Sequence, residues 1–452
     1  MKHRVGKKMN NRRIGFLEAF SIGVGGMVGG GIFAVLGLTI VLSKGAAPIA
    51  FAIAGLIALV TVYSYVKLSL RYPSEGGTIE FIVQAFGNSL FSSLVNTLML
   101  ISYVIMLALY AYAFGSYGSA LIMGSDVQWV HKSLAAGVIV LFVLVNLLGA
   151  FMTGRAEDIM VTVKLLILLV FAGAGVLTID PHHLSTSQWM PIPSVVTGGL
   201  MIFLAYEGFE LIANTARDIK DPEKNLPRAY YASVIFVILL YIVIAAVAVG
   251  NLSFEEARTA KDYVLAKAAE PFFGRTGFIL IGIAALLSTA SAINSTIYGG
   301  GRTSYLIAKL GELPEIFEEK LRSGYDGMII IALLSIIFAT LFNLDNISVA
   351  GSIGFLVIFA LVNLANLKLY KETGANRLIA GFGTFLCVAA VIVLVGYNAL
   401  YSPTSLLTSG VVILIVFMFS FFYHRFKERE SVLSLFMDKR LERDEMAKQK
   451  KN

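Results

Sequence analysis

The stretch that decides the fold is GVGGMVGGGIF, residues 23–33, which carries six glycines within nine positions. A glycine in a helix interior costs about 1 kcal/mol relative to alanine, so the cluster gives up roughly 5 kcal/mol of helical preference. At helical spacing the six glycines spread around the whole circumference, whereas a helix-packing seam needs them on one stripe. The pattern therefore favours a local break in a helix, with close helix packing as the alternative.

The rest of the chain indicates a membrane protein. Of its 452 residues, 57% are hydrophobic and 14% are charged, and apolar runs of about 20 residues recur along the whole length. These runs lack the period-two alternation of barrel strands. We expect an all-α polytopic membrane protein with about twelve transmembrane helices. Their predicted centres lie near residues 28, 58, 105, 141, 168, 204, 240, 290, 335, 357, 387 and 414.

The distribution of charge predicts the orientation. With the amino terminus inside, most of the 36 lysine and arginine residues fall on cytoplasmic segments. We therefore expect a multi-pass protein of the plasma membrane with both termini cytoplasmic. The basic start, MKHRVGKKMNNRR, has no small-residue cleavage site, which predicts a signal anchor and no cleaved signal peptide. The net charge of +7 then needs no nucleic-acid partner.

Residues that carry catalytic or metal chemistry are scarce. Cys387 is the single cysteine, which excludes disulfides within the chain and thiolate metal clusters. The five histidines lack HExxH spacing, and no Walker A sequence is present. No nucleophile and base constellation stands out. We predict that the protein is not an enzyme and uses no cofactor or metal.

A second interrupted segment, FLAYEGFELIANTA from Phe203, holds Gly208 and two carboxylates within an otherwise apolar span. Interrupted helices at corresponding positions of two halves mark the binding site of secondary transporters. We therefore predict two inverted repeats of five helices, each opening with a broken helix. The predicted boundaries are a cytoplasmic segment 1–13, repeats 14–178 and 192–370, two further helices within 376–424, and a charged cytoplasmic tail 425–452.

Broken helices carry a chemical preference. Hydrocarbon penalises each bare peptide group by several kcal/mol unless protein, water or a ligand satisfies it. The N–H groups at the start of a half-helix favour a carboxylate, and exposed carbonyls favour an ammonium or a small cation. An α-amino acid carries both charges, so the two breaks predict a site for such a substrate.

Five motifs stand in one order along the chain: GGMVGGGIF, YPSEGGTIEF, GRAEDIMVTVKLLILLVF, FLAYEGFE with DIKDPEKNLPRA behind it, and STASAINSTIYGGGRTSYLIAKLGELP. In these motifs the sequence resembles the amino acid, polyamine and organocation (APC) transporter superfamily. Within it, the chain is most similar to archaeal-type, sodium-independent, proton-coupled amino-acid permeases. The resemblance runs from Ile14 to about Tyr423 and implies a LeuT-like fold with discontinuous helices 1 and 6.

The resemblance also implies a substrate site between the two breaks. The backbone amides of Gly29, Gly30 and Gly31 would hold the substrate carboxylate. The ammonium would meet the carbonyls of Met27, Leu204, Ala205 and Glu207. Leu204 stands where many relatives carry a bulky aromatic residue that covers the substrate, which leaves Phe203 or Tyr206 for that role.

Lys164 is the one lysine predicted inside a membrane helix. Its Cα lies roughly 9 to 10 Å from the cytoplasmic end, so its side chain either snorkels to the interface or is buried. The resemblance favours burial, because a helix 5 lysine in the KLLIL context takes the place of a sodium ion in proton-coupled relatives. It would donate to helix 1 carbonyls near Ser288, Thr289 or Ser291. We predict that Lys164 is the proton-coupling residue.

Three further charged residues have two interpretations each. Glu210 is either a structural hydrogen-bonding partner near the break or a gating or proton-transfer group. Glu207 either faces the substrate, favouring polar or cationic amino acids, or pairs with a buried donor. Arg302 is either an inner gate paired with a carboxylate or an interfacial anchor.

Residues 253–272 are amphipathic and predict an external helix over the outward-facing cavity.

The function predicted from these residues is amino-acid import by proton symport with alternating access and broad or neutral specificity. The alternatives are an amino-acid or polyamine exchanger without net proton coupling, and a sodium symporter, which Lys164 disfavours. A sensor that binds amino acids without transporting them is an alternative from a different class. The predicted partners are the substrate, protons and the lipid bilayer, and the sequence indicates no oligomeric state.

Overall fold

The computed structural model describes residues 14–148, 154–318, 320–321 and 324–425. The predicted segment 1–13 and nearly all of the predicted tail 425–452 lie outside the described residues. Strands in the described part are limited to an antiparallel pair, β1 (Lys320–Leu321) and β2 (Gly324–Tyr325). The helices are α1 (Phe16–Met27), α2 (Gly31–Ser43), α3 (Ala47–Arg71), α4 (Thr78–Phe86), α5 (Leu90–Met123), α6 (Gln128–Leu147), α7 (Gly154–Val176), α8 (Pro181–Leu184), α9 (Ile192–Met201), α10 (Pro222–Asn251), α11 (Phe254–Thr259), α12 (Val264–Ala268), α13 (Glu270–Lys309), α14 (Asp326–Leu341), α15 (Leu344–Lys368), α16 (Tyr370–Thr373), α17 (Arg377–Tyr401) and α18 (Pro403–Arg425).

The described helices supply an apolar segment at each of the twelve predicted positions. Among the described residues, nine single helices are long and apolar enough to cross a membrane. Two more segments are bent pairs: α1 meets α2 at 47°, and α9 meets the 3₁₀ segment Phe203–Thr215 at 48°. The shorter apolar helix α14 provides the remaining segment. The prediction of an all-α polytopic membrane protein with discontinuous helices 1 and 6 is confirmed.

The broken segments lie inside a shell of continuous helices. Within the apolar 18-residue stretch of each helix, 83% of the residues are buried in α5 and α15, and 28% are buried in α7, α17 and α18. The outer helices therefore present most of their apolar surface to lipid. Both halves of the first broken helix pack against α10, and α15 packs against the second break. Irregular backbone is thus confined to the protein interior, where other side chains can satisfy it.

The sequence predicts one amphipathic helix over residues 253–272, and the structure divides this segment into α11, a 3₁₀ turn at 261–263, α12 and the first residues of α13. The chain turns after Ala260 so that the carbonyl oxygen of Lys261 lies against Gly37 of α2, only 2.0 Å from where a β-carbon would stand. The Tyr112 hydroxyl donates to Asp262 at 3.1 Å, and Lys261 pairs with Asp345 at 3.2 Å. These contacts hold the segment over the α2 half of the first broken helix.

Candidate substrate-binding site

The first break lies between Met27, where α1 ends, and Gly31, where α2 begins. The carbonyls at this end of α1 accept hydrogen bonds from side chains of three other helices. The donors are Lys164 Nζ of α7 to Gly25 at 3.3 Å, the Tyr241 hydroxyl of α10 to Met27 at 2.7 Å, and the Ser288 hydroxyl of α13 to Val28 at 3.2 Å and Gly29 at 2.5 Å. Because hydrocarbon cannot satisfy these carbonyls, the side chains stabilise the break.

The second break follows Met201, where α9 gives way to 3₁₀ turns at 203–206 and 209–215. Ser352 of α15 spans it, since its hydroxyl donates to the Met201 carbonyl at 2.8 Å and accepts from the Leu204 N–H at 3.2 Å. The Tyr241 hydroxyl, which donates to Met27, also lies 3.3 Å from the carbonyl oxygen of Ala205. One tyrosine therefore joins the two breaks.

The two breaks touch each other through glycines. Gly208 has a φ of +118°, and a β-carbon there would lie 2.4 Å from the carbonyl carbon of Gly26. A β-carbon on Gly26 would lie 2.8 Å from the Gly208 oxygen. Residues with side chains rarely adopt a φ in this region, and the backbones leave no room for one. The close approach of two irregular segments accounts for glycine at these positions.

A cavity of about 440 Å³ opens beside the breaks. Gly25, Gly26, Tyr110 and Glu207 lie on its wall beside the breaks, and it extends to the face that carries Glu18, Glu75 and Arg302. Its size is in the range of small-molecule sites. The cavity is open to the solvent at this face. Arg302 and Glu75 form an ion pair at its rim.

The structure places the predicted site residues in two groups. Glu207, Ser291 and Arg302 line the cavity. The remaining residues predicted to hold substrate are buried around the breaks and are not on its wall: Met27, Gly29, Gly30, Gly31, Phe203, Leu204 and Ala205.

Phe203, Tyr206 and Thr289 make other contacts in the observed conformation. The Phe203 ring packs against Phe359, with centroids 5.7 Å apart, and the Tyr206 hydroxyl donates to the Phe51 carbonyl at 2.9 Å. Neither ring is placed to cover the cavity. The Thr289 hydroxyl donates to the Ala285 carbonyl of its own helix at 2.7 Å, and Ser288 is the predicted α13 residue whose hydroxyl donates to the first break.

Tyr110 of α5 is a site residue that the sequence did not single out. A β-carbon added to Gly30 would lie 2.4 Å from the Tyr110 ring, and one added to Gly29 would lie 3.5 Å from the Tyr110 hydroxyl. Tyr110 and Glu207 both lie on the cavity wall. Tyr110 therefore separates the cavity from the first amides of α2. A tyrosine in an apolar run is typical of a helix core, and no local motif distinguishes it.

Glu207 and Glu210 form a buried carboxyl pair. Glu207 is 6% exposed and Glu210 is 4% exposed. The N–H of Gly208 donates to Oε2 of Glu210 at 2.7 Å, and the two carboxyl groups lie within hydrogen-bonding reach of each other. Glu207 therefore lies on the cavity wall, and Glu210 is held at the second break by the Gly208 N–H.

Lys164 is buried beneath the first broken helix. The residue is 2% exposed, and its ammonium donates to the Gly25 carbonyl rather than reaching the interface. Gly25 also lines the cavity. The Lys164 ammonium is therefore linked to the cavity wall through Gly25. A movement of α1 at the break would change this hydrogen bond.

Comparison with known proteins decides the family. The sequence profile described as "Amino acid permease" matches residues 14–430. The chain belongs to the amino acid permease family. This permease is 37% identical over 395 residues to an uncharacterized protein of Methanocaldococcus jannaschii, covering 86% of this chain and 90% of that protein. It is 33% identical over 384 residues to the inner membrane transport protein YbaT of Escherichia coli, covering 84% and 89% of the two chains.

A third relative is the branched-chain amino acid permease BcaP of Bacillus subtilis, 23% identical over 389 residues, which are 81% of this permease and 83% of the relative. These comparisons confirm the predicted membership of the APC superfamily. They also support a transporter of amino acids in a membrane.

Proposed function

We propose that this permease imports α-amino acids by proton symport with alternating access and broad or neutral specificity. The observation that carries the proposal is the placement of Lys164. A buried, titratable amine donates to the backbone of the broken helix that also borders the cavity. Gain or loss of a proton at this amine would change its hold on the Gly25 carbonyl. That link couples protonation to the geometry of the break.

The substrate would lie between the two breaks. The first N–H groups of α2 have no partner within the helix and point toward the break, which suits a carboxylate. The proposed carboxylate donors are the amides of Gly29, Gly30 and Gly31. The carbonyls of Ala205 and Glu207, with those of Met27 and Leu204, are proposed to meet the ammonium. Since Tyr110 packs against Gly30, binding requires its ring to turn aside.

The alternating-access cycle would use both faces of the protein. In the observed conformation the cavity reaches the predicted cytoplasmic face, and α11, α12 and the 3₁₀ turn between them pack against α2. We propose that the Arg302–Glu75 pair serves as an inner gate. We also propose that residues 14–178 and 192–370 are two inverted halves. Each begins with a broken segment, and an odd number of spans per half reverses their orientation.

Uptake into proteoliposomes tests the proposed coupling. Radiolabelled alanine is expected to accumulate when the outside is made acidic, equally with and without sodium, and a protonophore should remove the accumulation. The pH gradient supplies the driving force only if a proton moves with the substrate. Uptake that depends on sodium would contradict the proposal. Uptake that needs internal amino acid and ignores the pH gradient would identify an exchanger, and binding without flux would identify a sensor.

A further inference from the structure

One buried carboxyl oxygen of the Glu207–Glu210 pair has no hydrogen-bond donor among the described residues. The Gly208 N–H donates to Oε2 of Glu210 at 2.7 Å. Oε1 of Glu210 is buried and has no hydrogen-bond partner among the described residues. A carboxylate oxygen cannot donate, so contact between two ionised carboxyl groups would not satisfy it. A proton on the pair, a water molecule of the cavity or a group from a ligand can supply the missing donor.

Among the described residues that line the cavity, none supplies an unpaired cation to this pair. Among the described residues on the cavity wall, Arg302 is the single lysine or arginine, and it pairs with Glu75 at the rim. Two ionised carboxylates in contact, removed from water, repel strongly. Carboxyl pairs in enzymes avoid this repulsion by sharing one proton. A cation supplied by the substrate would serve equally, because Glu207 lies on the wall that the substrate faces.

We propose that the Glu207–Glu210 pair is a cation subsite that holds one proton when a neutral amino acid is bound and exchanges it for the side-chain ammonium or guanidinium of a cationic amino acid. This inference rests on the proposed function, since it places the substrate in the same cavity. When the cationic side chain enters, the pair releases its proton to the water of the cavity. One positive charge replaces another, so the total charge of the occupied site is unchanged.

The exchange of a proton for a cationic side chain allows one site to accept both neutral and cationic amino acids. A neutral substrate binds while the pair holds its proton, and a cationic substrate binds with release of that proton. The same site therefore accepts both classes with equal net charge, which is a physical route to broad specificity. Charge-assisted hydrogen bonds to carboxylates are about twice as strong as neutral ones, so lysine and arginine should compete well with alanine.

Proton release on binding tests the exchange. Full-length protein in detergent, in weak buffer with an indicator dye near neutral pH, receives saturating lysine or alanine adjusted to the same pH. We expect about one proton released per bound lysine and none for alanine. Lysine affinity should also rise between about pH 6 and pH 8 while alanine affinity stays constant, because the proton and lysine compete. This second measurement needs no variant.

Glu207→Gln supplies an amide that can donate to Glu210 in place of the proton. In this variant lysine should release no proton, and its affinity relative to alanine should fall roughly 10- to 100-fold. Glu312→Gln is the matched control, since Glu312 is a buried carboxyl that accepts from Asn96 at 2.7 Å and does not line the cavity. It should keep the wild-type affinity ratio and proton release.

The outcomes separate this inference from the proposed function. Wild-type protein that binds lysine without releasing a proton overturns the exchange, whatever the uptake assay shows. Failure to bind lysine, or an unchanged affinity ratio in Glu207→Gln, overturns it as well. Binding is measured without a gradient, so absence of proton-driven alanine uptake contradicts only the symport.

Discussion

Lys164→Ala is expected to reduce amino-acid uptake driven by a pH gradient to the level of empty liposomes. The substitution removes the titratable amine and leaves the Gly25 carbonyl without the donor that reaches it from α7. An unsatisfied buried carbonyl costs about 1 to 3 kcal/mol, so the break should also be less stable. Counterflow of labelled alanine, which needs no gradient, measures any transport that remains, and this should no longer vary with pH.

The control for this prediction is Lys224→Ala, which removes an exposed lysine near the start of α10. Its uptake and pH dependence should equal those of the wild-type protein, because a solvated lysine is not held against the broken helix. If Lys164→Ala kept the wild-type response to pH, Lys164 would not be the coupling residue, and another titratable group inside the membrane would have to take that role.

Gly208→Ala is expected to abolish substrate binding and lower the melting temperature. A side chain at a φ of +118° is strained by about 1 to 3 kcal/mol, and its β-carbon would lie 2.4 Å from the backbone carbon of Gly26. The strain can be relieved only by separating the two breaks, which moves the proposed carboxylate and ammonium groups apart. Thermal stabilisation by saturating alanine, measured on purified protein, should be lost.

Gly137→Ala provides the matched control. Gly137 lies within α6, and a β-carbon there would meet nothing within 4 Å. Alanine is favoured over glycine in a helix interior by about 1 kcal/mol, so this variant should be at least as stable as the wild-type protein and bind normally. Normal alanine binding by Gly208→Ala would show that the contact between the breaks is not needed for the site.

Local sequence predicts the breaks because their cause is local. The glycine cluster at 23–31 and Gly208 with its flanking carboxylates disfavour regular helix wherever the chain is placed, and both positions are broken in the structure. The apolar runs likewise predict the number and positions of the membrane segments. In these elements the residue types alone determine the backbone conformation.

The partners of the breaks depend on helix packing, which local sequence does not specify. Tyr110, Tyr241 and Ser352 come from apolar runs distant in sequence, and only their packing brings them to the released carbonyls and amides. The direction of the Lys164 side chain depends on the rotation of α7, so composition left it undecided. Position in a motif predicts a covering role for Phe203 or Tyr206, but the contacts of these side chains with Phe359 and the Phe51 carbonyl come from other helices and are not specified by the motif.

The most direct test of the account is a structure of the protein determined with alanine bound. We predict the alanine carboxylate at the amides of Gly29, Gly30 and Gly31, its ammonium at the carbonyls of the second break, and the Tyr110 ring turned away from Gly30. An amino acid bound outside the two breaks, or continuous helices through residues 28–30 and 202–208, would contradict it.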